Sequence, residues 1–118
     1  MEIRGKEYNN WNLFELDGSL DLHSVHDLKN LFKQLRDQER NVVLDFRNVR
    51  KVDSSGIGCL IFCQKILNTS DKSLRIVNLS DRVRIVFQIT RGFEIFEIYD
   101  ELKFAVESYD INKDKQAA

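Results

Sequence analysis

The residues best placed to do chemistry are Asp53-Ser54-Ser55-Gly56-Ile57-Gly58. A carboxylate, two hydroxyls and two glycines fall between a short apolar run and a largely apolar helical stretch. In open α/β sheets, sites gather where a strand delivers the chain into a helix. Free backbone N–H groups at a helix start can receive a phosphate. Gly56 and Gly58 are expected to let the backbone turn tightly and to leave the surface uncovered. Ser54 then either caps the helix or presents its hydroxyl for modification, and Ser55 is a cap or a neighbour. Asp53 is either a turn residue or a group that orients the Ser54 hydroxyl. A serine nucleophile of the Gly-x-Ser-x-Gly type is disfavoured, because Val52 stands where its first glycine would be. His23 and His26 supply no evident base for it. Three residues apart, they also lack a third metal ligand, so they are expected to be solvated. Cys59 and Cys63 lack two further ligands at suitable spacing, so they are expected to be buried thiols. No metal, cofactor or enzymatic activity of the chain's own is expected.

These residues need a frame, and hydrophobic periodicity supplies it. Glu2 to Tyr8 and Trp11 to Leu16 predict two strands joined by an Asn9-Asn10 turn, since Asn tolerates left-handed backbone. Gly18-Ser19-Leu20-Asp21 leaves the second strand, with Asp21 as a helix-entry residue. Ser24 and Asp27 have the spacing of a capping box. Val25, Leu28, Leu31, Phe32 and Leu35 recur at helical spacing through Arg36. Val42 to Phe46 is short, β-branched and nearly continuous in apolar character, as a strand covered on both faces requires. Asn48 to Lys51 predicts a charged loop, and the helix after it ends near Asn68. Leu74 to Val77 is the next strand. A third helix follows, capped by Ser80 or Asn78 and ended by Gly92. Phe93 to Ile98 alternates like an edge strand, and Asp100 opens a last helix. Trp11 and the eight phenylalanines are expected in the core. The order β-β-α-β-α-β-α-β-α predicts one α/β domain over 1–111, with a mixed, mostly parallel sheet and about four helices. Residues 112–118 form a polar tail expected to fray.

Bulk properties narrow the function. The 118 residues suffice for one core. Lys and Arg number 18 against 19 Asp and Glu, a net charge of -1, so nothing advertises nucleic acid. No segment has the ~18 apolar residues of a membrane span. The charged stretch from Met1 to Tyr8 lacks the apolar core of a signal peptide. A cytoplasmic protein that does not insert into membranes is the expectation.

Asp53 to Gly58 resembles the signature of the STAS family (sulfate transporter and anti-sigma factor antagonist). Further blocks match in order. Gly18-Ser19-Leu20-Asp21 resembles the family's Gly-x-Leu-Asp, and Val43-Leu44-Asp45-Phe46 through Val52 its third strand and loop. Leu74 to Ser80 and Val83 to Phe87 resemble its fourth strand and third helix. The likeness runs from about Ile3 to Tyr109. One departure is Thr90-Arg91-Gly92, where the family usually has Thr-Gly. The resemblance implies a STAS-like fold and an anti-sigma factor antagonist that works by partner switching. Ser54 is the implied phosphorylation site, and Asp21, Asp53, Ser55, Gly56 and Gly58 are its implied neighbours or partner contacts. The implied partners are a kinase-type anti-sigma factor, which uses the ATP, and a metal-dependent serine phosphatase. A STAS-like subunit of a lipid transporter, a stress-signalling assembly or another partner switch is the alternative.

Overall fold

A computed structural model describes residues 1–106. Its sheet has five strands in the order β1-β2-β3-β4-β5, the same as their order in the chain. They are β1 (Glu2–Tyr8), β2 (Trp11–Leu20), β3 (Asn41–Val52), β4 (Leu74–Val77) and β5 (Glu97–Tyr99). β1 and β2 form the antiparallel hairpin, turned through Asn9 at φ 53°. The remaining pairings are parallel. The mixed, mostly parallel α/β sheet is therefore as the periodicity implied.

Helices α1 (Val25–Leu35), α2 (Ser54–Asn68) and α3 (Asp81–Ile89) carry the chain between strands. Period-two alternation in the strands divides the core between the two sheet faces. Leu16, Leu20, Val42, Leu44, Phe46, Leu74 and Ile76 pack with the buried stripes of α1, α2 and α3. Trp11, Leu13, Val43 and Val77 point the other way and meet Ala105 and Val106. Those two residues belong to a last helical stretch, α5, over residues 102–106. β3 is thus covered on both faces, as its nearly continuous apolar run requires.

Several boundaries differ from expectation. Asn48 to Lys51 is strand, because β3 continues to pair with β2 as far as Leu20 opposite Val52. The Ser24–Asp27 capping box does not form, and Ser24 makes no side-chain cap bond to α1. A 3-10 turn, Arg36–Gln38, extends that helix. α3 is capped by Ser80, whose Oγ accepts from the Val83 amide at 3.3 Å. Its end is made by Arg91, not Gly92. Arg91 takes the left-handed conformation, and Gly92 opens a four-residue helix, α4 (Gly92–Ile95). This adds a fifth helix among the described residues and leaves Glu97–Tyr99 as the last strand.

Gly92 answers to packing. A Cβ there would lie 2.6 Å from the ring of Phe87. Phe87 is the hub of an aromatic cluster, with ring centroids of Phe46, Phe93 and Phe96 at 6.2, 6.3 and 5.9 Å. Not every phenylalanine is core, since Phe93 and Phe104 are exposed and Phe62 is half-buried. Cys59 and Cys63 are free and fully buried. The segment 112–118, and with it the end of the expected domain at 111, lies outside the described residues.

On the far face, Arg75 takes a place where alternation calls for an apolar side chain. It is only 4 % exposed. Its guanidinium lies 5.3 Å from the Trp11 ring centroid and 5.2 Å from that of Tyr99. Nε donates to Glu97 at 2.6 Å, and another guanidinium nitrogen donates to the Ala105 carbonyl. One buried cation thereby ties β2, β4, β5 and α5 together.

Candidate functional site

The Ser54 segment lies at the C-terminal ends of β2 and β3. Leu20 pairs with Val52, so Asp21 and Asp53 are the next residues along adjacent strands. The Leu20 carbonyl accepts the Asp53 amide at 3.3 Å and stitches the two exits together. Asp53 is the N-cap of α2. Its backbone is extended (φ -108°, ψ -174°) and its Oδ1 accepts from the Gly56 amide at 3.0 Å. A short acceptor at this position satisfies one of the orphan amides of the first turn.

Capping by Asp53 settles the place of Ser54. Ser54 is the first residue of α2, exposed, and not needed as the cap. Ser55 is half-buried beside it. The positive end of the helix dipole lies at this point, so added negative charge on Ser54 is favourable to the domain itself.

The glycines play roles other than the tight turn expected of them. Both lie inside α2, and neither takes a left-handed backbone. Gly56 is buried, and a Cβ on it would stand 2.4 Å from the Leu20 carbonyl oxygen. Its lack of a side chain lets α2 start against the end of β2. Gly58 is exposed, with nothing within 4 Å of a Cβ built there. It leaves a bare patch of backbone one turn after Ser54.

Asp21 anchors the neighbouring turn. Its Oδ1 accepts the His23 amide at 3.0 Å, and its carbonyl accepts the amides of Ser24 and Val25, each at 3.0 Å. Partial desolvation acts to raise its pKa. The His23 amide, the Ser24 hydroxyl and the charge on His23 outweigh it and hold the carboxyl below its ordinary value. Sequence reasoning missed Ser24 here. It is buried, donates to the Ser19 carbonyl at 2.6 Å and accepts the Asp21 amide at 3.0 Å, fixing the turn from below. Gly18 was also passed over as a conformational residue. Its φ of +124° sits at an irregularity in the β2–β3 register, a geometry that favours glycine. The motif Gly-Ser-Leu-Asp held the signal for both, since Gly before a strand end often marks a bulge.

The structure thus gathers Asp21, Asp53, Ser54, Ser55, Gly56 and Gly58 at one end of the sheet. His23 and His26 are exposed. Among the described residues no group of three acidic, histidine or cysteine side chains could hold a metal. No helix among them is long and apolar enough to cross a membrane.

Comparison with known proteins fits this architecture. The STAS domain family matches residues 2–105. The anti-sigma-B factor antagonist of Staphylococcus aureus is 35% identical over 77 residues, covering 64% of this chain and 71% of that protein. An anti-sigma factor antagonist from Mycobacterium paratuberculosis superposes with a TM-score of 0.81 at 16% identity, over 91% of this chain and 92% of that one. The phosphorylated form of the Bacillus cell fate determinant SpoIIAA gives 0.68 at 20% identity, over 92% and 99%. With the hairpin-led sheet, the Asp-capped helix and a family match spanning nearly all of the described residues, this chain belongs to the STAS domain family.

Proposed function

We propose that this chain is an anti-sigma factor antagonist switched by phosphorylation of Ser54. Unphosphorylated, it binds a kinase-type anti-sigma factor and so frees the sigma factor. The kinase then uses ATP: the Ser54 oxygen attacks the γ-phosphorus, its proton passes to a base on the kinase, and ADP leaves. The product dissociates, and a metal-dependent serine phosphatase regenerates the serine. The observation that carries this reading is the exposed Ser54 hydroxyl at the start of α2, left available because Asp53 does the capping. The name of the staphylococcal relative supports the sigma-factor output.

Electrostatics supply the switch without a change of fold. Phosphorylation adds about −1.5 to −2 charges. The start of α2 tolerates them, whereas a close-packed interface beside Asp21 and Asp53 gains like charge and bulk. A 100-fold loss of affinity needs only ~2.7 kcal/mol, which an unpaired buried dianion readily supplies.

The test is titration calorimetry against the cognate kinase, with phosphopeptide mapping after addition of ATP. One phosphate is expected, on Ser54. Ser54→Ala is expected to stay bound in the presence of ATP. Ser54→Asp is expected to bind at least ~10-fold more weakly while unfolding within ~1 kcal/mol of the wild type. Equal affinity of the two variants, or a phosphate mapped to Ser55, overturns the reading.

A further inference from the structure

The outer face of α1 and α2 carries a second arrangement that the Ser54 chemistry leaves unused. Phe62 is a half-buried ring on α2, two turns after Ser54. The ammonium groups of Lys29 and Lys33, one turn apart on α1, stand 5.5 and 5.9 Å from its centroid. Among the described residues neither lysine pairs with a carboxylate. Along the two helices themselves the charge on this face is of one sign. α2 contains no Asp or Glu from Ser54 to Asn68, and its single charged residue is Lys65. The only acidic residue of α1 is Asp27, which at 100° per residue lies about 160° round the helix from Lys29. By the same rotation, Ser54, Gly58, Phe62 and Lys65 fall within about 80° of one another and form one strip along α2.

We infer that this α1–α2 face docks an acidic segment of the anti-sigma factor, with Phe62 as the apolar anchor. The carboxylates of that segment pair with Lys29 and Lys33. The inference rests on the function proposed above and names the chemistry of its partner. Two lysines held over an aromatic ring present cation and apolar surface together, and the matching surface combines carboxylates with an apolar side chain. Bare backbone at Gly58 joins this patch to Ser54 without a ridge between them. Phosphate on Ser54 then enters the same strip that receives the partner's carboxylates. Repulsion of like charge, in addition to bulk, drives the partner off.

The experiment compares four forms of the full chain against the purified cognate anti-sigma factor by titration calorimetry at two salt concentrations. They are the wild type, Lys29→Glu/Lys33→Glu, Arg4→Glu/Lys6→Glu on the exposed edge strand β1, and Ser54→Asp. Circular dichroism checks that each is folded, and Lys29→Gln/Lys33→Gln replaces the first double variant if it is not. Reversal at Lys29 and Lys33 is expected to weaken binding at least about tenfold and to flatten its salt dependence. The β1 reversal makes the same change in net charge and is expected to leave affinity within about twofold of the wild type, since its site lies outside the docking face. If Ser54→Asp weakens binding while reversal at Lys29 and Lys33 does not, the docking face is wrong and the phosphoswitch stands. Equal weakening by both reversals also overturns the docking face, because net charge alone then explains the effect. Failure of the wild type to bind overturns both proposals.

Discussion

Replacing Gly56 with alanine places a methyl group 2.4 Å from the Leu20 carbonyl oxygen. That oxygen is backbone and accepts the Asp53 amide at 3.3 Å, so it cannot swing aside as a side-chain tip would. The Val52 and Leu20 side chains, at 3.0 and 3.1 Å, close the remaining directions. Relief requires the start of α2 to lift off the end of β2. Overpacking of this kind costs about 1–3 kcal/mol. Loss of the Asp53–Leu20 hydrogen bond adds ~1 kcal/mol. Alanine returns up to ~1 kcal/mol through helix propensity, which leaves a net loss of about 2 kcal/mol. Gly58→Ala is the matched control. It makes the same change in the same helix, but in open space, and is expected to gain about 0.5–1 kcal/mol. Urea unfolding of both variants reads the difference directly. A neutral Gly56→Ala would show that the β2–α2 junction yields freely, and the account of how Ser54 is positioned would then be wrong.

Asp53→Ala removes the cap of α2 and is expected to cost about 1 kcal/mol in urea unfolding; Asp53→Asn, which keeps an acceptor, is expected to recover most of it. The Asp21 carboxyl has a folded pKa held below its ordinary value of 3.8. Its contribution is therefore fully present above 3.8 and lost as pH falls through the lower folded value. Asp21→Asn is expected to flatten the acid limb of a stability–pH curve, and an unchanged limb would contradict the turn described here. Arg75→Ala empties a buried site and takes the donor from the Ala105 carbonyl, with an expected loss of about 3 kcal/mol. Hydrogen exchange should show the residues of α5 opening first, since Arg75 holds the Ala105 carbonyl.

Where the chain spoke in continuous patterns, the structure agrees with the sequence reading. Val42 to Phe46 announced a strand buried on both sides, and the stripe from Val25 to Leu35 announced α1. Difficulty arose where local chemistry and tertiary pairing pulled apart. Arg47, Asn48, Arg50 and Lys51 are polar because they are exposed. The strand persists there because β2 is long enough to keep bonding to it. Phe93 to Ile98 alternates by chance of composition, while the left-handed Arg91 and the close approach of Gly92 to Phe87 coil its first half into α4. Arg75 looked like an ordinary charge in a short strand. Only the fold brings Trp11, Tyr99 and Glu97 around it, from positions 64, 24 and 22 residues away. The site was legible as a place, through Asp-Ser-Ser-Gly after a strand. Which residue caps the helix, and which glycine is needed for contact, depended on the distance between two strand exits that no local pattern records.

The matching order of strands in chain and sheet has a consequence for synthesis. Each new strand docks beside the one made just before it, so no closure spans more than a single crossover and its entropic cost stays modest. The sheet and its helical face can build up vectorially while the chain is still leaving the ribosome. The other face cannot. Trp11, Leu13, Val43 and Val77 wait for Ala105 and Val106, which come after every strand of the sheet. During that interval the nascent domain shows water an apolar patch with Arg75 in its midst. Chains cut short of residue 102 keep that patch for good, and they should appear in the cell as aggregates or as clients of chaperones.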